Sequence, residues 1–426
     1  MKKISSILKM FIPTKRIWRG LKNASYLTIA HIFSMLINFF GFIYIAILLG
    51  PSNYGIYLTV VAFVGLFDIL TFRGLNKVVL REGAKDLSKM SIYLEQTSGL
   101  KNLFTLIAII ICIISSFFTP YSTQEKIFII IFSITLTYKS FEGFFGIIYQ
   151  AAEKMQYNSA LTILNRILFV PLSIVILYLG FGVTGLFAIA IFSQIFTLFV
   201  NFKVSKRFLS FKFFSKIKWD ISIIKPALVF SIISFTVLLT SRIDIVMISW
   251  LGTSRDVGIY GVPYQIAQSG AELKTLLSVA FFPIFVKIFH KKIIRWKELL
   301  KYSFLLGFVL LIFSTIISIL SPTIIPMIFG QKYFESGIIL SVLIFYLAFI
   351  FLNLPFTNTL QATHNEFHYL KICWIPPSLN IGLNYLFFKI FGLIGIAYST
   401  LAVQIFAIPI TIFVTYRVLK KQGKII

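Results

Sequence analysis

Charged side chains stand inside several long apolar segments of this chain, where an unpaired charge is costly and is usually kept for a function. Arginine and lysine at such depth can bind an anion, and arginine suits phosphate because its planar guanidinium grips two oxygens. Carboxylates can balance those cations or take up a proton or a sodium ion. The candidates are Asp68, Arg73, Lys139, Glu142, Arg166, Arg242, Asp244, Glu272 and Lys274. They predict a binding site for a charged ligand.

Helical spacing separates these candidates. Lys139 and Glu142 share one helix face under the i, i+3 rule, so a local salt bridge is the favoured interpretation for this pair. Arg166 has no acid nearby in sequence. The sequence leaves open whether Arg166 lines a cavity or extends its guanidinium to the membrane surface.

Two further pairs cannot neutralise themselves. Arg242 and Asp244 are separated by one residue, as are Glu272 and Lys274, so the members of each pair point in nearly opposite directions on a helix. Each of these side chains therefore needs a partner on another helix or on a ligand.

The elements that hold these residues are membrane spans. The chain of 426 residues is 58% hydrophobic and 13% charged, with a mean hydropathy of +0.91, which is too apolar for a water-soluble globule. Apolar stretches of roughly 20 residues, enough to cross a bilayer, recur along it. They lie near 26–49, 54–75, 100–118, 127–149, 160–180, 183–202, 226–250, 257–282, 303–321, 337–360, 369–388 and 393–416. Because these segments are too continuously apolar for barrel strands, the sequence predicts an all-α polytopic membrane protein with 12 transmembrane helices.

The positive charges indicate the orientation. Most of the 40 lysine and arginine residues fall in the tails and loops of one side, and the other side holds Lys126, Arg255, Lys332 and Lys389. The positive-inside rule then places both termini in the cytoplasm. Because the basic residues are dispersed over short loops, the net charge of +26 reflects topology and not nucleic-acid binding. We expect no cleaved leader, no disulfide framework and no metal site.

Two halves of the chain repeat each other. Phe-Gly-x-x-Gly occurs at 181–185 and again at 391–395, and Gln-Ile follows in each case. The stretches "LLGPSNYGIY" and "WLGTSRDVGIY" form another pair at a similar offset of about 200 residues. An even number of spans per half makes the repeats parallel, around a central cavity. The predicted lobes are 1–210 and 211–426, joined by a basic amphipathic cytoplasmic linker near 203–225.

The repeated glycine motif concerns the backbone. Gly55 and Gly258 begin returning helices, where the missing Cβ permits close approach of the preceding helix or a turn with positive φ. Tyr57 and Tyr260 suit the membrane interface, and direct sugar contact is the alternative. The motif therefore predicts two outer hairpins, one closing each lobe.

The segment "LLGPSNYGIYLTVVAFVGLFDILTFRGLNKVVLREGAK" is similar to the first two helices of bacterial polysaccharide flippases, the O-antigen and capsule translocases of the multidrug/oligosaccharidyl-lipid/polysaccharide exporter superfamily. The matching residues are Gly50, Tyr54, Gly55, Tyr57, Asp68, Gly74, Arg81 and Glu82. "RIDIVMISWLGTSRDVGIYGVPYQIAQ" resembles the seventh to eighth helix of that family, and "QAAEKMQY" its fourth cytoplasmic loop. The resemblance covers essentially the full chain.

The resemblance implies a flippase that moves polyprenyl-pyrophosphate-linked oligosaccharide repeat units from the cytoplasmic to the outer leaflet of the bacterial inner membrane by alternating access. It implies a monomer in the lipid bilayer with no enzymatic activity and no cofactor, and it leaves open coupling to Na⁺ or H⁺ and contact with other polysaccharide-assembly proteins. A multidrug exporter of the same superfamily is the alternative function. A membrane-embedded polysaccharide polymerase is a distant third, because the outer segments hold no obvious acid/base pair.

Roles for the charged residues follow from this expectation. The predicted headgroup ligands are Arg73, Arg242 and Lys274, with Arg166 and Lys139 as further candidates. The predicted charge-balancing or ion-coupling residues are Asp68, Asp244, Glu272 and Glu142.

The predicted topology can be tested by cysteine labelling. A single cysteine within 203–225 should be protected from an impermeant thiol reagent in intact cells, whereas a cysteine at Ser52 should react, because the two positions lie on opposite sides of the membrane. Labelling of the 203–225 segment from outside would contradict the model of 12 spans in two parallel repeats.

Overall fold

The structure of the protein is a computed structural model that describes residues 15–85, 90–209, 215–217, 219–290, 296–363, 365–423 and 425. Its α-helices are α1 (Lys15–Leu66), α2 (Gly74–Lys85), α3 (Met90–Phe117), α4 (Thr123–Phe132), α5 (Thr135–Ala151), α6 (Met155–Tyr178), α7 (Gly182–Ser205), α8 (Ile221–Leu251), α9 (Ser254–His290), α10 (Trp296–Phe329), α11 (Phe334–Leu343), α12 (Tyr346–Ala362), α13 (Glu366–Phe391) and α14 (Leu393–Lys421). Short 3-10 helices cover Phe67–Thr71 and Gln331–Tyr333. Helix thus accounts for nearly all of the described chain.

The helices have the dimensions of membrane spans. Among the described residues, 9 helical segments are long and apolar enough to cross a membrane, judged by length and composition. The first, Thr28–Thr71, contains two predicted spans, because Gly50 at φ 71° breaks α1 before Pro51. The helices α9 and α13, of 37 and 26 residues, correspond to the eighth and eleventh predicted spans. The fold is therefore the predicted all-α arrangement of membrane helices in two repeats.

The two repeats interrupt their helices at equivalent places. A break at Ser133–Ile134 separates α4 from α5, and a break at Ile344–Phe345 separates α11 from α12, about 210 residues later. The Phe-Gly-x-x-Gly motifs form tight turns, in which Gly182 and Gly392 have φ of 55° and 64°. Glycine adopts this left-handed conformation without Cβ strain. The backbone geometry thus repeats with the same offset as the sequence.

Following the predicted division, we call helices α1 to α7 the N-terminal lobe and helices α8 to α14 the C-terminal lobe. Residues 210–214 and 218 of the predicted linker lie outside the described residues. The boundary between residues 210 and 211 and the amphipathic character of the 203–225 segment stay predictions.

The lobes meet most extensively where α1 packs against α9. A Cβ on Gly55 would collide with the backbone carbonyl of Ser254, and a Cβ on Gly258 would collide with the carbonyl of Pro51. The repeated hairpins therefore pack directly on each other, and we call this end of the molecule the hairpin end. The expectation that each glycine accommodates the preceding helix of its own lobe is wrong, because the close contact comes from the other lobe.

Hydrogen bonds reinforce this closure between the lobes. The Tyr121 hydroxyl lies 2.9 Å from Ser249 Oγ and accepts a hydrogen bond of 2.9 Å from Trp250 Nε1. Ser254 Oγ donates to Glu125 Oε1 at 3.0 Å. Each bond joins the N-terminal lobe to the C-terminal lobe. The space between the lobes is therefore closed at the hairpin end, which the sequence predicts to be the outer end.

The tyrosines of the repeated motif lie inside the protein. Tyr260 is fully buried, and its hydroxyl donates to Asp244 Oδ2 at 3.2 Å. Tyr57 packs against Phe187, with 5.7 Å between ring centroids, and lines an internal cavity. The prediction of tyrosines at the lipid headgroups is wrong, because the motif lies where the lobes meet.

A second contact between the lobes lies at the opposite end of the molecule, where α2 packs against α8. We call it the basic end, because most of the lysine and arginine residues are predicted to lie on that side. The chain enters α2 through the 3-10 helix Phe67–Thr71 and through Phe72, whose φ is 58°. A Cβ on Gly74 would collide with the Ala227 carbonyl, and the Gly74 N–H donates to Ser231 Oγ at 3.0 Å. The second predicted span, 54–75, is thus broken in its last third, at the position of its charged residues.

Replacing Gly55 by alanine should loosen the hairpin end, because the new Cβ cannot fit against the Ser254 carbonyl. Spin labels on the exposed positions Ser52 and Arg255 should move apart when their distance is measured by pulsed electron paramagnetic resonance. The control is Gly382→Ala, since no atom lies within 4 Å of the added Cβ there. An unchanged distance in Gly55→Ala would show that this contact does not hold the lobes together.

Candidate functional site

Arg242 lines each of two cavities that described residues of both lobes enclose. The first has a volume of about 480 Å³ and lies beside the break between α1 and α2. Its charged lining residues are Asp68, Arg73, Lys77, Lys139 and Arg242. Because four cations face one carboxylate, this cation-rich cavity attracts anions.

The break after α1 positions an ion pair in the wall of the cation-rich cavity. Arg73 Nη2 lies 2.6 Å from Asp68 Oδ2, and Arg73 Nε donates to Asp68 Oδ1 at 3.0 Å. Thr71 Oγ1 adds a bond of 3.3 Å to Asp68 Oδ1. The Asp68 side chain is 4% exposed, but the Arg73 side chain is 40% exposed. The carboxylate is therefore fixed, while the guanidinium also reaches the cavity.

The other cations of this cavity have no acidic partner. Within the described residues, neither Arg242 nor Lys139 forms an ion pair with a carboxylate. The salt bridge expected between Lys139 and Glu142 is absent, since Glu142 instead accepts a hydrogen bond of 3.1 Å from the Tyr138 hydroxyl. Lys139 is thus directed to the cavity, where its charge is available to a ligand.

The second cavity has a volume of about 300 Å³ and a different character. Its polar lining includes Asn38, Tyr57, Arg166, Arg242, Tyr264, Gln265, Gln268 and Glu272. Of the two possibilities for Arg166, the structure has it lining the cavity, and its Nε has no hydrogen-bond partner among the described residues. Flat aromatic faces and side-chain amides are suited to uncharged polar ligands. We call this the amide and tyrosine cavity.

Asp244 points away from both of these cavities and into the C-terminal lobe. Asn380 and Asn384 each donate to Asp244 Oδ1 at 2.9 Å. Thr400 and Tyr260 donate to Asp244 Oδ2 at 3.0 and 3.2 Å. No lysine or arginine of the described chain forms an ion pair with Asp244, which is 5% exposed. Neutral donors alone therefore stabilise this buried carboxylate.

Lys274 does not join Arg73 and Arg242. It lines a third cavity of about 290 Å³, which lies within the C-terminal lobe and also includes Asp244. Glu272 faces the amide and tyrosine cavity instead, with its carboxylate 4.0 Å from the imidazole of His31 on α1. The predicted trio of headgroup ligands is therefore split, and the structure brings only Arg73 and Arg242 into one cavity.

Several residues of these sites were not predicted from the sequence. Lys77 lies in the cation-rich cavity, but its place among the loop lysines marked it as a topology signal. Asn380 and Asn384 share one face of α13 under the i, i+4 rule. Two amides at this spacing inside an apolar segment form a recognisable pattern. They were not among the candidate residues because asparagine carries no charge.

Two membrane transporters of known structure share this architecture. An inward-facing multidrug resistance MATE family transporter of the MOP superfamily superposes with a TM-score of 0.70 and 14% identity, covering 92% of this chain and 98% of that one. The lipid II flippase MurJ in an inward closed conformation superposes with a TM-score of 0.67 and 16% identity, covering 94% of this chain and 88% of that one. The fold is that of the MOP superfamily.

The family is defined by the sequence. The chain belongs to the polysaccharide biosynthesis protein family, whose model matches residues 20–289. No curated protein sequence matches the chain significantly. The resemblance to polysaccharide flippases of this superfamily is therefore confirmed, while the identity of the transported molecule stays a prediction.

Proposed function

We propose that the protein moves an oligosaccharide linked to polyprenyl pyrophosphate from the cytoplasmic to the outer leaflet of a bacterial inner membrane. The observation that carries this proposal is the cation-rich cavity between the lobes, where Arg73, Lys139 and Arg242 converge. Membership of the polysaccharide biosynthesis protein family supports a substrate that contains sugars.

The pyrophosphate explains the excess of cations. It carries about two negative charges at neutral pH, by analogy with phosphate. Its transfer from water into the protein is unfavourable unless cationic side chains pair with those charges. Arg242 offers a planar fork for phosphate oxygens and is not occupied by any described carboxylate. Arg73 can contribute from the opposite lobe, because its side chain is 40% exposed. The headgroup therefore connects the two lobes electrostatically.

The amide and tyrosine cavity is suited to the sugars. It adjoins the cation-rich cavity through Arg242, as the first sugar adjoins the pyrophosphate in such a lipid. Tyr57 and Tyr264 offer aromatic faces for sugar C–H groups, and Gln265 and Gln268 offer amides for hydroxyls. We place the reducing-end sugar of the oligosaccharide there.

Transport then requires the lobes to rock about the bound headgroup. The structure is closed at the hairpin end and also has α2 packed against α8 at the basic end, so in the proposed cycle α2 and α8 separate to admit substrate from the predicted cytoplasmic side. A multidrug exporter is the weaker alternative, because a cavity with this excess of positive charge repels cationic drugs. Cytoplasmic termini, a monomeric state and contacts with other polysaccharide-assembly proteins are part of the proposal.

Asp244 is the proposed site of the coupling ion. A buried carboxylate held by neutral donors gains most from a neutralising Na⁺ or proton. Asn384 Oδ1 is buried beside it with no hydrogen-bond partner among the described residues, which leaves an oxygen free for a cation. Glu272 and Glu142 lack this enclosure, and we assign them to charge balance.

Arg242→Gln should abolish transport of a defined lipid-linked oligosaccharide in reconstituted vesicles, because the bidentate contact to phosphate is lost. Its affinity for pyrophosphate should fall about tenfold to a hundredfold, the value of a charge-assisted hydrogen bond. Arg242→Lys should rescue only in part. The control is Arg255→Gln, at a side chain that is 58% exposed on the hairpin end. Near-normal transport by both Arg242→Gln and Arg73→Gln at matched protein levels would refute the anionic headgroup and favour the exporter.

Asp244→Asn should retain pyrophosphate binding, because the cation-rich cavity is intact, but transport should no longer respond to an ion gradient. Vesicle transport measured with an imposed Na⁺ or pH gradient tests this and identifies the ion. Glu335→Gln is the matched control, at a carboxylate that is 58% exposed. A gradient response that persists in Asp244→Asn would exclude Asp244 as the coupling site.

A further inference from the structure

One buried lysine has no part in the proposed headgroup site. Lys101 lies on α3 and is 0% exposed, and its Nζ has no hydrogen-bond partner among the described residues. Thr105, one turn further along α3, forms hydrogen bonds of 2.7 Å through its Oγ1 with the Lys101 carbonyl and with Ser140 Oγ. A buried ammonium without an acceptor is strongly disfavoured.

The charged residues nearest in sequence to Phe72, whose ring packs on the ring of Phe104 of α3 with 4.8 Å between centroids, are Asp68 and Arg73. Both belong to the broken segment between α1 and α2, which packs against α3. Arg73 binds both oxygens of the Asp68 carboxylate, and Lys101 Nζ makes no hydrogen bond to either oxygen in the structure described. Asp68 is 3% exposed, and it therefore cannot lose Arg73 unless another cation or a proton replaces it.

We propose that Lys101 is a proton-binding site that replaces Arg73 as the partner of Asp68 when Arg73 turns to an anionic headgroup. The inference rests on the proposed function, because an anion in the cation-rich cavity must draw Arg73 away. The difference in exposure allows this movement, since the Arg73 side chain is 40% exposed and the Asp68 side chain is 4% exposed.

The exchange balances in protons and charge. One proton moves from water to the neutral Nζ of Lys101, Asp68 stays deprotonated, and the new ammonium pairs with Asp68. The proton goes to the amine and not to the carboxylate, because an amine next to a negative charge is by far the stronger base. Binding of the headgroup is thereby linked to uptake of a proton in the N-terminal lobe. This site is separate from the coupling ion proposed at Asp244.

Calorimetric titration of the full-length protein with inorganic pyrophosphate, in buffers of different ionisation enthalpy, measures this proton. At the same pH, the wild type should take up about one proton more per pyrophosphate bound than Lys101→Met. Protonation changes of pyrophosphate itself are common to both proteins and cancel in the difference. Asp68→Asn should lose the same proton, because the ammonium then has no carboxylate partner.

Thermal unfolding separates this role from a structural one. Methionine keeps the apolar stem of lysine, so Lys101→Met should have a Tm equal to or above that of the wild type, since only an unpartnered amine is removed. Lys301→Met, at an exposed lysine on α10, should match the wild type in both measurements.

Three results would overturn the inference. Equal proton uptake by the wild type and Lys101→Met would refute it and leave the proposed function standing. A lowered Tm of Lys101→Met would refute it as well, because the amine would then have a stabilising partner in the resting state. Failure of the wild type to bind pyrophosphate would refute the proposed function and this inference together.

Discussion

Backbone contact between the two lobes at Gly55 and Gly258 is the constraint on which the internal architecture depends. Because neither residue has a Cβ, the carbonyls of Ser254 and Pro51 can lie where a side chain would otherwise stand. This contact brings α1 and α9 together at the hairpin end and seats Tyr57 and the cavities between the lobes. Each repeat contributes one of the two glycines, so the duplication itself supplies both halves of the closure.

The lobes share a backbone design but stabilise buried charge in different ways. In the N-terminal lobe, a break in the helix turns Asp68 and Arg73 toward each other, and a direct ion pair satisfies both. In the C-terminal lobe, an unbroken α8 carries Asp244 into a shell of neutral donors. An ion pair can be opened by a competing anion, whereas a carboxylate among neutral donors responds to a cation. The two repeats therefore offer different responses to bound ions.

The candidate site could be predicted only in part. One cavity is lined by Asp68, Arg73, Lys139 and Arg242. These residues could be named as candidates from the sequence, because a charge inside an apolar segment stands out without an alignment. Lys274 has the same signal but faces another cavity. The neutral partners of Asp244 carry no charge, and among them only the i, i+4 pair Asn380 and Asn384 formed a recognisable pattern. Lys101 was not a candidate because it lies at the very start of the predicted third span, 100–118.

The sequence by itself determined the membrane character, the helical class, the duplication and the family, because hydropathy, charge bias and repeated motifs are properties of short stretches of chain. The helical spacing also showed correctly that Arg242 and Asp244 face different surroundings. Only the tertiary structure decided that the repeated hairpins close on each other, that Tyr260 is buried against Asp244, and that Arg73 and Arg242 share a cavity. These outcomes depend on how helices far apart in sequence cross. A rotation of a single helix by one residue would send each side chain to a different neighbour, and no local pattern records that angle.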